Sequence, residues 1–250
     1  MIIDNLLKHR TIRKYKSDDI PEHIIKQIIE AGTRASTTGN MQVYSIIISS
    51  NKTIKEKLWE AHFKQNMVLQ APLVLTFCAD FNRFVKWCNL RKANPGYDNF
   101  LSFFTAAIDA LLVAQNVAIA SEACGLGICY LGTTTYNAGL IIETLKIPKG
   151  VVPVTTLVIG YPDENPGLTD RLPLEAIIHK DTYHDYSPEN IDFFYKEKEK
   201  LDFTKELLKT NNKKTLAQIF TDIRYTKNDN EIFSEKLLEI IKKQGFINSD

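Results

Sequence analysis

Apolar positions at Ile20, Ile24, Ile25, Ile28 and Ile29 recur at helical spacing around Pro21 and Glu22, which predicts a helix over residues 21–34 with one buried face. The runs Val43-Tyr44-Ser45-Ile46-Ile47-Ile48 and Leu73-Val74-Leu75-Thr76-Phe77-Cys78 are rich in branched and aromatic side chains and predict strands. Between them Ile54 and Leu58 share a face of a helix predicted over 52–62. Further strands are expected at 128–131 and 154–159, with a helix at 139–146 stopping before Pro148. At the N-terminus Asp4 is placed to cap a short helix through His9, and residues 10–16 alternate in polarity as an extended segment. From Ser187-Pro188-Glu189 onward the pattern is helical and charged. Its 12 basic and 12 acidic residues balance, as on a solvated helical extension rather than a nucleic-acid arm.

The most apolar stretch, residues 100–123, is long enough to span a membrane, but it carries Asp109, Gln115, Asn116 and Glu122. One Asp near the centre of a membrane helix costs roughly 2.5–3.5 kcal/mol on insertion scales. A buried central or interface helix ending at Gly125 is therefore the expectation. A chain of 250 residues with 44% hydrophobic and 24% charged positions is that of an ordinary globular protein: one large domain, or a core with a helical appendage. The formal net charge of +1 removes any general electrostatic pull toward nucleic acid or an anionic membrane. The segment Met1-Ile2-Ile3-Asp4 has no export signal, which points to a cytoplasmic location.

The four cysteines form no Cys-x-x-Cys pair and have no histidines at ligand spacing, which argues against a zinc site or a disulfide framework. Cys78 and Cys129 lie in apolar runs and are expected to be buried. Strands interleaved with helices suggest a parallel α/β domain, but the glycines point the other way. A dinucleotide fold needs its glycines after a strand and opening a helix, whereas Gly125-Leu126-Gly127 follows a helix and opens a strand.

Four clusters carry candidate chemistry. In His9-Arg10-Thr11-Ile12-Arg13-Lys14, Arg10 and Arg13 could reach one anion from an extended backbone, since the guanidinium fork pairs with phosphate. Ser36-Thr37-Thr38-Gly39-Asn40-Met41-Gln42 concentrates hydroxyl and amide groups that suit a polyol chain or a heterocycle edge, though a simple helix-ending turn has the same composition. Tyr130-Leu131-Gly132-Thr133 takes a strand into a small-residue loop that lets backbone approach a flat ligand. Asp170-Arg171-Leu172-Pro173 places another arginine in a loop. Each alone is weak.

In their joint order, with Cys78-Ala79-Asp80-Phe81-Asn82-Arg83, Gly125-Leu126-Gly127 and the Asn165 to Pro173 pattern, these clusters resemble the nitroreductase family. Within that family the chain looks most similar to the larger oxygen-insensitive nitroreductase and flavin reductase branch. The resemblance runs from about residue 6 through Tyr183. It implies an α+β fold: a central, mostly antiparallel sheet flanked by helices, with a flavin-binding core over 1–186, a C-terminal helical extension over 187–250, and a homodimer. It implies that FMN is bound, its phosphate held by Arg10, Arg13 and Arg171 with His9 and Thr11 beside it. Thr37, Thr38, Gly39 and Gln65 would contact ribityl or ring atoms, and Tyr130, Leu131, Gly132 and Thr133 would line the ring from the other side. The branch often has a Lys where this chain has Thr169, so one phosphate contact is missing or comes from elsewhere, Lys180 being a candidate. Gly39 and Asn40 also stand in place of further serines.

The implied activity is hydride transfer from NADPH or NADH through flavin N5 to nitroaromatics, quinones or related small electrophiles, in a ping-pong order. No metal and no catalytic triad are expected, because the cofactor does the electron chemistry. Lys209, Lys213 and Lys214 are candidates for a 2'-phosphate, with ordinary surface lysines as the alternative. Flavin reduction or dehalogenation on the same scaffold, and a flavin-binding protein without turnover, remain rival readings.

Overall fold

The computed structural model describes residues 2–247. Its elements run α1 (Ile2–Leu7), α2 (Glu22–Gly32), β1 (Tyr44–Ser49), α3 (Lys52–Ala61), α4 (Met67–Gln70), β2 (Leu73–Asp80), α5 (Asn82–Leu90) and α6 (Phe100–Ala123). They continue with β3 (Gly127–Leu131), α7 (Ala138–Leu145), β4 (Val151–Gly160), α8 (Pro188–Lys200), α9 (Asp202–Thr210), α10 (Leu216–Ile219) and α11 (Lys227–Lys243). The strands form one sheet in the order β1-β2-β4-β3, with each neighbouring pair antiparallel. The expected mostly antiparallel sheet flanked by helices is present.

Alternation along β2 shows why apolar residues occupy both of its faces. Leu73, Leu75 and Phe77 join Ala110, Val113, Ala114 and Val117 of α6 in one cluster, while Val74 and Cys78 join Leu58 of α3 and Ile141 of α7 in another. Helices cover both sheet faces, so successive side chains enter opposite cores and every β2 residue is buried. Cys78 and Cys129 are buried as expected.

Two expected boundaries shift for physical reasons. α1 starts at Ile2, so Asp4 sits in its first turn instead of capping it, where a carboxylate still favours the positive end of the helix. β4 begins at Val151, ahead of the expected 154, and takes Pro153 into a central strand. Proline has no N–H to donate, and the register of β2 slips between Phe77 and Cys78 where Cys78 faces Pro153, which absorbs the lost rung.

The extended N-terminal segment joins the sheet edge through β3. Thr11 bridges Ile128 in parallel, and Ile12 N donates to Ile128 O at 2.9 Å. Gly127 makes this approach possible, since a Cβ there would lie 2.7 Å from Ile12 Cγ1 and 2.8 Å from Ile12 Cβ. We expect Gly127→Ala to cost about 1–3 kcal/mol through overpacking and to displace residues 10–13. A urea midpoint unchanged from wild type would show that this approach is slack.

Residue contacts divide the chain into two compact units. One holds residues up to Gly167 together with those from Phe233 onward, and the other is Leu168–Ile232. In the first unit Ile241 and Phe246 join a cluster with Phe81, Phe103 and Val152. In the second, Ser187 with Asn190 and Thr215 with Gln218 form capping boxes at the starts of α8 and α10, so the charged stretch is helical for local reasons.

Candidate functional site

The arginine segment is held in large part through its backbone. Glu164 Oε1 accepts from Arg13 N at 2.5 Å and Lys14 N at 3.1 Å, and Tyr15 donates its hydroxyl to Ile12 O at 2.6 Å. Arg10 Nη1 donates to Asn165 Oδ1 at 2.5 Å, while Arg10 Nε is buried with no partner. Beside it lies a cleft of about 250 Å³ lined by Lys8, Arg10, Glu122, Gly127 and Asn165, among others. His9 is engaged elsewhere: its Nδ1 is 2.6 Å from Glu122 Oε1 near the end of α6. His9 thus anchors the segment to α6.

The hydroxyl loop is tied to α6 by the acid that interrupts that helix's apolar run. Thr38 donates its N–H to Asp109 Oδ1 at 2.9 Å and its hydroxyl to the same oxygen at 3.3 Å. Asp109 is 1% exposed, and its Oδ2 has no partner. Gly39, Asn40 and Gln42 all have positive φ, a conformation costly for the two non-glycine residues and concentrated at functional loops. The loop's exit is clamped from the 78–83 motif, where Arg83 Nη2 donates to Gln42 O and, at 3.2 Å, to Tyr44 O. Asp80, which receives the Ser45 hydroxyl, also accepts from Arg83 N at 3.3 Å. Asp109→Ala should therefore cost about 1–3 kcal/mol by removing the charged acceptor of both the Thr38 N–H and its hydroxyl, whereas Asp109→Asn can keep an oxygen toward Thr38. Equal melting temperatures for the two variants would contradict this.

A third grouping surrounds Thr133. Gln65 Nε2 donates to Thr133 Oγ1 at 3.3 Å, and His62 Nδ1 lies 2.8 Å from the same oxygen. His62 is fully buried, its Nε2 has no partner, and burial pushes its pKa down to about 4, so the ring is neutral near pH 7. Phe63 and Lys64, which link His62 to Gln65, both have left-handed φ. Lys55, whose pKa burial lowers, donates from Nζ to Leu69 O at 2.9 Å and Ala71 O at 2.5 Å, and so fixes the far end of this turn. Phe63 lies against Phe233 and Tyr136, which themselves stack at 4.4 Å.

The structure joins Gln65 to Thr133, Thr38 to Asp109, and Thr11 to β3. Gly132 leaves open space where a Cβ would be, as close approach of a flat ligand requires. Leu131 is buried at the end of β3. Tyr130 donates its hydroxyl to Gln115 Oε1 at 3.3 Å, and burial raises its pKa. Thr37 adopts an extended conformation at the loop's entrance. In the second unit Arg171 is exposed and donates to Thr169 O and Asp170 O. Of the candidate lysines there, Lys213 is paired with Asp222 at 2.8 Å, leaving Lys209 and Lys214 without a side-chain ion pair in that unit.

Asp109, His62, Asp80 and Arg83 lay outside the expected site. His62 had a detectable signal, being four residues beyond Leu58 on the buried face of the predicted helix. The groupings fit the flavin implied by the resemblance. β3 carries the arginine segment at its start and delivers Gly132 and Thr133 at its end, about 15 Å away at roughly 3.3 Å per residue.

Comparison with known proteins adds independent findings. A model of the nitroreductase family matches residues 6–161. An FMN reductase [NAD(P)H] from Bacillus subtilis (strain 168) is 36% identical over 184 residues, covering 73% of this chain and 74% of that protein. A solved structure from Bacteroides fragilis NCTC 9343 superposes with a TM-score of 0.97 at 51% identity, covering 98% of this chain and all of the other. The NfrA1 nitroreductase from B. subtilis superposes with a TM-score of 0.88 at 28% identity, covering 98% and 99% of the two chains.

Proposed function

The chain belongs to the nitroreductase family, and from that premise we propose that it binds FMN and passes hydride from NADPH or NADH to nitroaromatics, quinones or related small electrophiles. The observation that supports this reading is β3, with the arginine-bearing segment bridged to one end and an open, small-residue loop at the other. When bound, FMN supplies the two-electron hydride chemistry. Arg10 and Arg13 offer guanidinium donors to the phosphate, and the orphaned Arg10 Nε is the donor that a ligand would satisfy. Thr37, Thr38 and Gly39 present hydroxyl and backbone groups on a loop that Asp109 and Arg83 hold still. Gln65, Gly132 and Thr133 meet the ring edge, and Tyr130 and Leu131 form the strand wall behind it. The resemblance to the family also implies a phosphate contact for Arg171.

Because Gly132 leaves the ring approachable, donor and acceptor would use one space in turn, a ping-pong order with broad acceptor tolerance. We assign residues 1–186 to the flavin-binding core and 187–250 to an extension that serves a homodimer in the cytoplasm. Support for the dimer comes from α6, where Leu101, Phe104, Ile108, Leu111 and Leu112 are exposed at helical spacing, an apolar stripe of the kind that marks protein–protein contact.

Anaerobic addition of NADPH, then separately NADH, to the flavin-loaded protein tests the reading. The visible flavin band should bleach and then recover on adding a nitroaromatic or quinone. A bound flavin that neither nucleotide bleaches would overturn the reductase assignment, and failure to bind FMN would overturn the whole reading.

A further inference from the structure

Gln65 enters the site through a turn that the local sequence opposes. Phe63 and Lys64 have φ of 52° and 57°, a region that non-glycine side chains populate only at a cost. Such a turn persists when surrounding contacts over-determine it, and the only buried polar anchor within it is His62.

A threonine hydroxyl has two acceptor lone pairs and one proton. Gln65 Nε2 donates to one lone pair of Thr133 Oγ1, and His62 Nδ1 lies 2.8 Å from the same atom. If Nδ1 carries the ring proton, both lone pairs are filled by fixed donors and the remaining O–H is directed outward. The unpartnered His62 Nε2 is then a bare lone pair. In the other tautomer it would be a buried N–H without an acceptor, which is the rarer arrangement in folded proteins.

Resting on the functional reading above, we propose that His62 is a positioning residue that orients the Thr133 hydroxyl, and with it Gln65, as a donor toward the flavin. His62 itself touches neither flavin nor substrate. Its neutral state follows from burial, with no charged neighbour contributing to the shift.

The test combines tautomer, affinity and coupling. The ¹⁵N shifts of His62 in the intact protein should show the proton on Nδ1, and a proton on Nε2 would overturn the assigned orientation. In fluorescence titrations of the deflavinated protein, His62→Leu should weaken FMN binding about tenfold, the scale of one well-placed hydrogen bond. His62→Asn, whose side chain can put an N–H where Nδ1 stood, should recover most of that loss, whereas His62→Gln should not. Thr133→Val should weaken binding similarly, and adding His62→Leu to it should change nothing further. Should His62→Leu fail to fold, the Asn and Gln variants still decide, and a Gln variant that binds better than the Asn variant overturns the proposal. Wild-type affinity in His62→Leu, or losses that simply multiply in the double variant, overturn it alone. A wild-type protein that takes up no FMN overturns the functional reading and this proposal together.

Discussion

Removing both guanidiniums of the N-terminal segment, as Arg10→Ala with Arg13→Ala, is expected to weaken FMN binding by about 10²- to 10⁴-fold. Each charge-assisted hydrogen bond to phosphate contributes about 1.5–3 kcal/mol. The fold should survive the change, because residues 12–14 are held through backbone groups by Ile128 and Glu164. Riboflavin, which has the ring but no phosphate, separates the two ends of the site. The double variant should lose its preference for FMN over riboflavin, while wild type should retain it. A preference that survives in the variant would show that the phosphate lies elsewhere, and the placement of the anion-binding end at residues 10–13 would have to be abandoned.

The second large effect is on stability in acid. His62 is neutral in the folded chain with its pKa pushed from 6.5 to about 4, while in the unfolded chain it takes up a proton below its ordinary value. The unfolded state therefore binds more protons between those limits, and stability falls as pH falls. The contribution is fully present above pH 6.5, declines toward pH 4, and loses nothing more below that. A displacement of this size corresponds to about 3 kcal/mol, a large part of a typical domain's stability. Urea unfolding of wild type and His62→Asn at pH 7, 5.5 and 4.5 isolates it, because carboxylate effects common to both cancel. The variant's stability should decline less, and parallel curves would mean that the imidazole titrates normally.

Much of the frame was legible in the chain. The branched runs became β1 to β4, the helical stripe at 20–29 became α2, and the apolar stretch at 100–123 became α6 lying on the sheet. These features are local: period, turn residues and side-chain branching act over a few neighbours. The direction of Gly125-Leu126-Gly127 excluded a dinucleotide fold, and the structure adds that Gly127 is small so that Ile12 can lie against β3. The ordered set of motifs indicated the family that the comparisons show.

The tertiary structure decided what holds those motifs. Thr38 meets Asp109 and His62 meets Thr133 across 71 residues each, and Arg10 meets Asn165 across 155. Asp109 read only as an interruption of an apolar helix, and Asp80 and Arg83 only as parts of a motif. The left-handed turns at 39–42 and 63–64 run against the preferences of the residues that form them. Propensity and periodicity describe what a segment does alone, whereas the identity of a buried polar group's partner depends on which distant segment the fold brings within 3 Å. Those partnerships are what hold the hydroxyl, amide and guanidinium groups of these motifs in their places.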